Sequence, residues 1–135
     1  MKVVLDTNIF ISGIHWSGGS EKILRAWFSG KFILVISPEI ISEITETLAS
    51  FRVPMEKEDI AWWKKALINK SLLVAPSFKV DVVKSDPDDN KFIEAALSGN
   101  ADYIITQDKH LLDIKNYEGI AILPPNEFLA IFSKI

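Results

Sequence analysis

The sequence contains no cysteine, so disulfides, zinc fingers and thiol nucleophiles are excluded together. Glycine and proline number only six each, too few for a linker-rich or low-complexity chain. No apolar run approaches the roughly 18 residues of a membrane span, and Asp6 interrupts the N-terminal apolar stretch, so neither a spanning helix nor a secretory leader is expected. An excess of basic residues is missing too. With a formal charge of −3, the overall field does not draw polyanions as a basic nucleic-acid binder does, and a nucleic-acid role would require a local basic rim or bound cations. What is present is a chain of 135 residues, 48% hydrophobic and 24% charged. That is the balance of a globular protein, expected to form a single domain over residues 1–135 around one core and to work in the cytoplasm.

Short apolar runs recur at Val3 to Leu5, Ile33 to Ile36, Leu72 to Ala75, Tyr103 to Ile105 and Ile120 to Leu123. Their apolarity is continuous rather than alternating, which predicts strands covered on both faces, as in a parallel sheet. Helical patterns separate them. In SEKILRAWFSG, Ser20 is the expected N-cap and Gly30 the stop, while in SPEIISEITETL, Ser37 caps with Pro38 at the first helical position. KEDIAWWKKALINK places Ile60, Trp63, Leu67 and Ile68 on one stripe, DDNKFIEAALSGN ends at Gly99, and a last helix starts near Pro125 or Asn126 and runs to the C-terminus. This alternation predicts a three-layer α/β/α sandwich with a central parallel sheet.

Open parallel sheets bind ligands beyond the carboxyl ends of their strands. Asp6 closes the first strand, Glu39 and Glu43 follow the second, Asp86, Asp88 and Asp89 open a helix, and Asp108 follows the strand in YIITQ. Each acid has a plainer reading. Asp6 and Asp108 could cap the helices after them, Glu39, Glu43 and Glu46 form a solvated stripe, and the three aspartates suit a helix N-terminus. Their convergence on one edge carries the argument. Clustered carboxylates repel unless protonated or bridged by cations, and oxygen ligands without His or Cys select Mg2+ or Mn2+ over zinc. Two such ions, about 3.5 to 4 Å apart, activate water and stabilise a leaving oxygen in phosphodiester hydrolysis. They would also bring the formal total from −3 to about +1, so an acidic protein is compatible with a nucleic-acid substrate.

The stretches VVLDTNIFIS, ISPEIISEITETL, DPDDNKFIEAAL and DYIITQDKHLL, in this order, resemble PIN-domain proteins. Within them, the resemblance is to the toxin components of toxin-antitoxin systems, the VapC-like ribonucleases. It implies metal-dependent cleavage of single-stranded RNA, a cognate antitoxin that blocks the site, and a homodimer. Carried over by position, the family's acidic quartet of catalytic metal ligands falls on Asp6, Glu43, Asp89 and Asp108. Asn8, Ser37 and Thr106 match polar positions that orient those acids, and Asp86 is a supporting or additional ligand. The chain departs from many relatives at His110, where they carry a further acid.

RNA binding calls for cations and flat surfaces. Trp16, in the turn after the first helix, is a candidate for base stacking, and Lys91 and Lys109, beside the acids, for phosphate contact; packing and solvation are the alternatives. Trp27 and Trp63 are expected in the core, and Trp62 in the core or an interface. Two other functions compete. A non-catalytic metal- or RNA-binding module would keep the acids without turnover. An aspartyl phosphotransferase or phosphatase of the haloacid-dehalogenase type would use Asp6 as nucleophile but wants an acid two residues on, where this chain has Asn8.

Overall fold

The computed structural model describes residues 1–52 and 54–132. Six strands, β1 (Lys2–Leu5), β2 (Ile33–Ile36), β3 (Ser71–Leu73), β4 (Tyr103–Ile105), β5 (Asn116–Tyr117) and β6 (Ile120–Leu123), form one sheet in the order β3-β2-β1-β4-β6-β5. All neighbours are parallel except β5 and β6. Val3, Val4 and Leu5 point alternately to opposite faces, yet all are buried, so both faces are covered by helices. The helices are α1 (Thr7–His15), α2 (Gly19–Phe28), α3 (Pro38–Ser50), α4 (Lys57–Asn69), α5 (Asn90–Ser98), α6 (Lys109–Leu112) and α7 (Pro125–Phe132). A 3-10 turn at Pro87–Asp89 leads into α5. The predicted continuation of α7 to the C-terminus falls on residues outside those described.

The chain starts in the middle of the sheet, builds outward through β2 and β3, then returns to the other side of β1 with β4. The direction of construction therefore reverses between β1 and β4, which leaves a crevice beyond their carboxyl ends. Their pairing of Leu5 with Ile105 brings those ends level, and the Asp6 amide donates to the Ile105 carbonyl at 2.9 Å.

Several local expectations are corrected. Gly18, not Ser20, precedes α2, and Ser20 is a buried residue of the helix itself. Gly13 is needed for close packing here: a Cβ on it would stand 2.6 Å from Leu24 Cδ1 and 2.9 Å from the Ser20 carbonyl oxygen, so only glycine lets α1 and α2 approach this closely. The third strand is Ser71–Leu73 rather than Leu72 to Ala75; as an edge strand with Leu72 and Leu73 exposed, it lacks the two-sided burial on which the sequence reading relied. Ile68 is exposed, and of the α4 stripe only Leu67 is fully buried, with Ile60 and Trp63 partly so. Trp27 lies in the core, donating its indole N–H to the Lys70 carbonyl at 2.9 Å, whereas Trp62 is exposed. The antiparallel strand β5 was not foreseen; Glu118 and Gly119, with φ of 48° and 86°, turn it into β6 as in a type I′ hairpin. Among the described residues no helix is long and apolar enough to cross a membrane.

Candidate metal centre

Beyond β1 and β4 lies an open cavity of about 260 Å³, lined by Asp6, Thr7, Asn8, Glu43, Thr47, Asp86, Asp88, Asp89 and Asp108. It is almost wholly polar because Asp6 follows β1, Asp108 caps α6, Asp86, Asp88 and Asp89 lead into α5, and Glu43 and Thr47 reach it from within α3. The sheet thus gathers the quartet Asp6, Glu43, Asp89 and Asp108, with Asn8 and Asp86 beside it. Ser37 lies elsewhere: it is buried, caps α3 by accepting from the Ile40 amide at 3.3 Å, and faces a neighbouring cavity with Glu39. Glu39 is exposed and meets Lys79, so of the two glutamates only Glu43 faces Asp6.

Asp6 is 5% exposed. Burial raises its pKa above the ordinary range, against the opposing effect of a donor from Thr106 Oγ1 at 2.6 Å and a long one from the Asn8 amide at 3.4 Å. The Asn8 contact to Asp6 is made by its backbone amide. Thr106, fully buried, also accepts the Asp108 amide at 2.9 Å. Asp108 caps α6 through the His110 amide at 2.8 Å. The capping readings of Asp6 and Asp108 are therefore geometrically real and coexist with a place in the pocket. By contrast, neither Asp86 nor Asp89 makes a side-chain cap, although each stands at a helical N-terminus.

Oxygens of Asp86, Asp89 and Asp108 lie within 4.8 Å of one another. Burial, the side chain of Asp108 and the charges of Asp86, Asp108 and Asp6 push the Asp89 pKa up to about 8, while the hydrogen bond from Asp89 holds Asp108 low. Asp89 Oδ2 is buried without a donor. Two carboxylates can approach in this way only if a proton or a cation lies between them. The all-oxygen donor set and the orphaned oxygen fit a hard divalent ion such as Mg2+ or Mn2+.

Lys91 is placed differently from an exposed phosphate contact. It is 6% exposed, and its ammonium donates to Glu43 Oε2 at 2.6 Å and to the Asp88 carbonyl and Oδ2, both at 3.0 Å. Burial works to lower its pKa, but the bonds to Glu43 and Asp88 prevail and raise it; the same lysine holds Asp88 low. Lys109 is exposed on the first turn of α6 and is absent from the pocket lining. Trp16 is also outside it, half exposed against His15 and Phe51 where α1 and α3 end.

Three residues of the pocket were given no site role from sequence, although Asp88 was read among the acids that open a helix. Thr7 donates its hydroxyl to Glu43 Oε1, Thr47 sits one helical turn after Glu43, and Asp88 pairs with Lys91. Thr47 had a signal, its i+4 spacing from Glu43 on one helix face.

The chain is 34% identical to the uncharacterized protein MJ1680 of Methanocaldococcus jannaschii, with 99% of this chain and 93% of that protein covered. Its fold is similar to VapBC2 from Rickettsia felis, solved bound to a DNA fragment from the promoter, with a TM-score of 0.61 at 14% identity over 92% of this chain and 98% of that one. It is also similar to FitAcB from Neisseria gonorrhoeae, with a TM-score of 0.53 at 14% identity over 91% and 97% of the two chains. The PIN domain pattern matches residues 2–110, a span that holds every acid of the pocket, and the chain belongs to the PIN domain family.

Proposed function

We propose that the protein is a Mg2+- or Mn2+-dependent endoribonuclease that cleaves single-stranded RNA and serves as the cytoplasmic toxin of a toxin-antitoxin pair. The observation that carries the chemistry is the Asp89–Asp108 contact, two carboxylates in mutual reach with a buried oxygen that lacks any donor. Asp89 and Asp108, with Asp86 beside them, would hold the ion, and Asp6 and Glu43 complete the acidic wall. When bound, a divalent ion supplies a water of lowered pKa and charge to stabilise the leaving oxygen of a phosphodiester.

The protein's own part is positioning. Thr106 fixes the Asp6 carboxylate and the Asp108 backbone together, so both acids address one point at the end of the sheet. Asp89, its pKa pushed up to about 8 in the ion-free protein, would give up its proton if it held a divalent ion. Likeness to VapBC2 and FitAcB supports the toxin reading, in which a cognate antitoxin and a second copy of the chain are the expected partners.

The test compares cleavage of single-stranded RNA with and without Mn2+, using the parent, Asp6→Asn and Asp89→Asn. Cleavage is expected only for the parent with metal. Activity that survives both substitutions would sink the assignment.

A further inference from the structure

A buried lysine in an acidic pocket needs an explanation, because taking an ammonium out of water costs several kcal/mol unless its donors are all met. Those of Lys91 are. Its partners, Glu43 Oε2, the Asp88 carbonyl and Asp88 Oδ2, provide an acceptor for each of its N–H bonds. It reaches them from outside the acidic cavity, since its stem lines two neighbouring cavities and not the one that Asp6 and Asp108 face.

The consequence falls on Glu43. Thr7 donates to one of its carboxylate oxygens and Lys91 to the other, so its charge is matched and its orientation fixed by the protein itself. Asp88 is drawn to the same ammonium. The acids without a fixed counter-charge are the others, and three of them, Asp86, Asp89 and Asp108, bring their oxygens together on the far side of the pocket. The acidic wall is thus divided into a half already neutralised and a half that is not.

We propose that Lys91 is an internal cation that stands in for the charge of a second ion at Glu43, so that the pocket takes one divalent ion, on the Asp86, Asp89 and Asp108 side. This rests on the metal-dependent reading above and sharpens it, because it separates the acids that hold the ion from one that is held by the protein. Lys91 is a positioning residue here and touches no reacting atom. An ammonium is a compact point charge well suited to this role, and unlike a second ion it does not depend on the supply of free metal.

Titration of the full chain with Mn2+, followed by the electron paramagnetic resonance signal of the free ion, counts the sites without relying on activity. The parent is expected to bind about one equivalent. Lys91→Met, which keeps the apolar stem and removes the charge, is expected to bind about two, because Glu43 and Asp88 then need a cation. Glu43→Gln is expected to stay at about one. Two equivalents on the parent, or one on a folded Lys91→Met, would overturn the proposal. Should Lys91→Met fail to fold, Glu43→Gln decides: a fall from two to one in that variant places an ion at Glu43 and refutes the idea. Parent protein that binds two ions and cleaves RNA with Mn2+ removes the role of Lys91 alone, whereas parent protein that binds none removes the metal-dependent reading as well.

Discussion

Thr106 donates its hydroxyl proton to Asp6 Oδ2 at 2.6 Å across the β1–β4 pairing, while its oxygen receives the Asp108 amide at 2.9 Å. One fully buried hydroxyl thus serves acids that lie far apart in sequence. Replacing it with valine preserves shape but leaves a buried carboxylate and an amide without that partner. Thr106→Val should therefore lose about 1–3 kcal/mol of stability at neutral pH. Urea unfolding measures this, and a loss below about 0.5 kcal/mol would mean that other groups hold Asp6 in place.

Proton linkage gives a second expectation. Asp89 has a folded pKa of about 8 against an ordinary value of 3.8, so between these values the folded ion-free protein holds a proton that the unfolded chain has released. Stability contributed by Asp89 is then greatest at the acidic end of that window and is lost as pH rises towards 8. Asp6, also raised, acts in the same direction; Asp88 and Asp108, both lowered, favour the folded state above their ordinary range and lose that contribution only in more acidic solution. The melting temperature of metal-free protein should fall from pH 5 to pH 8. Calorimetric titration with Mn2+ at pH 7 in two buffers of different ionisation enthalpy should show proton release, and buffer-independent heats would contradict the assignment.

How far the sequence revealed this site depended on what kind of signal each residue left. Asp6 and Asp108 were legible because they terminate apolar runs, and a strand end is where open sheets place ligands. Parallel order was legible from two-sided apolarity, as at Val3 to Leu5; β3 was legible only with shifted bounds and β5 not at all, since an edge strand has only one buried face or none. Periodicity could not separate Glu43 from Glu39, one turn apart; the position of Lys79 beside Glu39 and of Thr7 beside Glu43 separates them in space. Lys91 reads from sequence as one more surface cation. Its burial follows from α5 packing against β1 and β4, a tertiary fact that no local pattern encodes.

The same cluster sets stability against function. Asp89 is penalised by burial and by three neighbouring acids, so Asp89→Asn removes a source of repulsion and can donate to Asp108 from its new amide. Above pH 8, the metal-free variant should melt at a higher temperature than metal-free parent. It should gain less from Mn2+, because an ion that binds only the folded state stabilises in proportion to its affinity. Differential scanning calorimetry with and without Mn2+ reads both effects. A variant that melts lower without metal, yet gains as much from Mn2+, would show that Asp89 is structural and outside the ion's coordination.

Trp16 allows binding by the pocket to be separated from binding by a remote aromatic. It packs edge-on to Phe51 with ring centroids 5.6 Å apart, and Phe51 in turn stacks on His15 at 4.9 Å. Asp6 immediately precedes α1 and Trp16 immediately follows it, so this nine-residue helix puts about 15 Å of axial rise between them. A base stacked on Trp16 would therefore belong to a nucleotide some way along the strand from the scissile phosphate. Trp16→Ala should cost about 0.5–1.5 kcal/mol of stability through the lost aromatic contacts. On a short oligonucleotide that only fills the pocket, kcat/KM should stay within about twofold of the parent. If it falls by tenfold or more on that short substrate while the fold is intact, the tryptophan acts at the reacting centre and the pocket must be redrawn to include it.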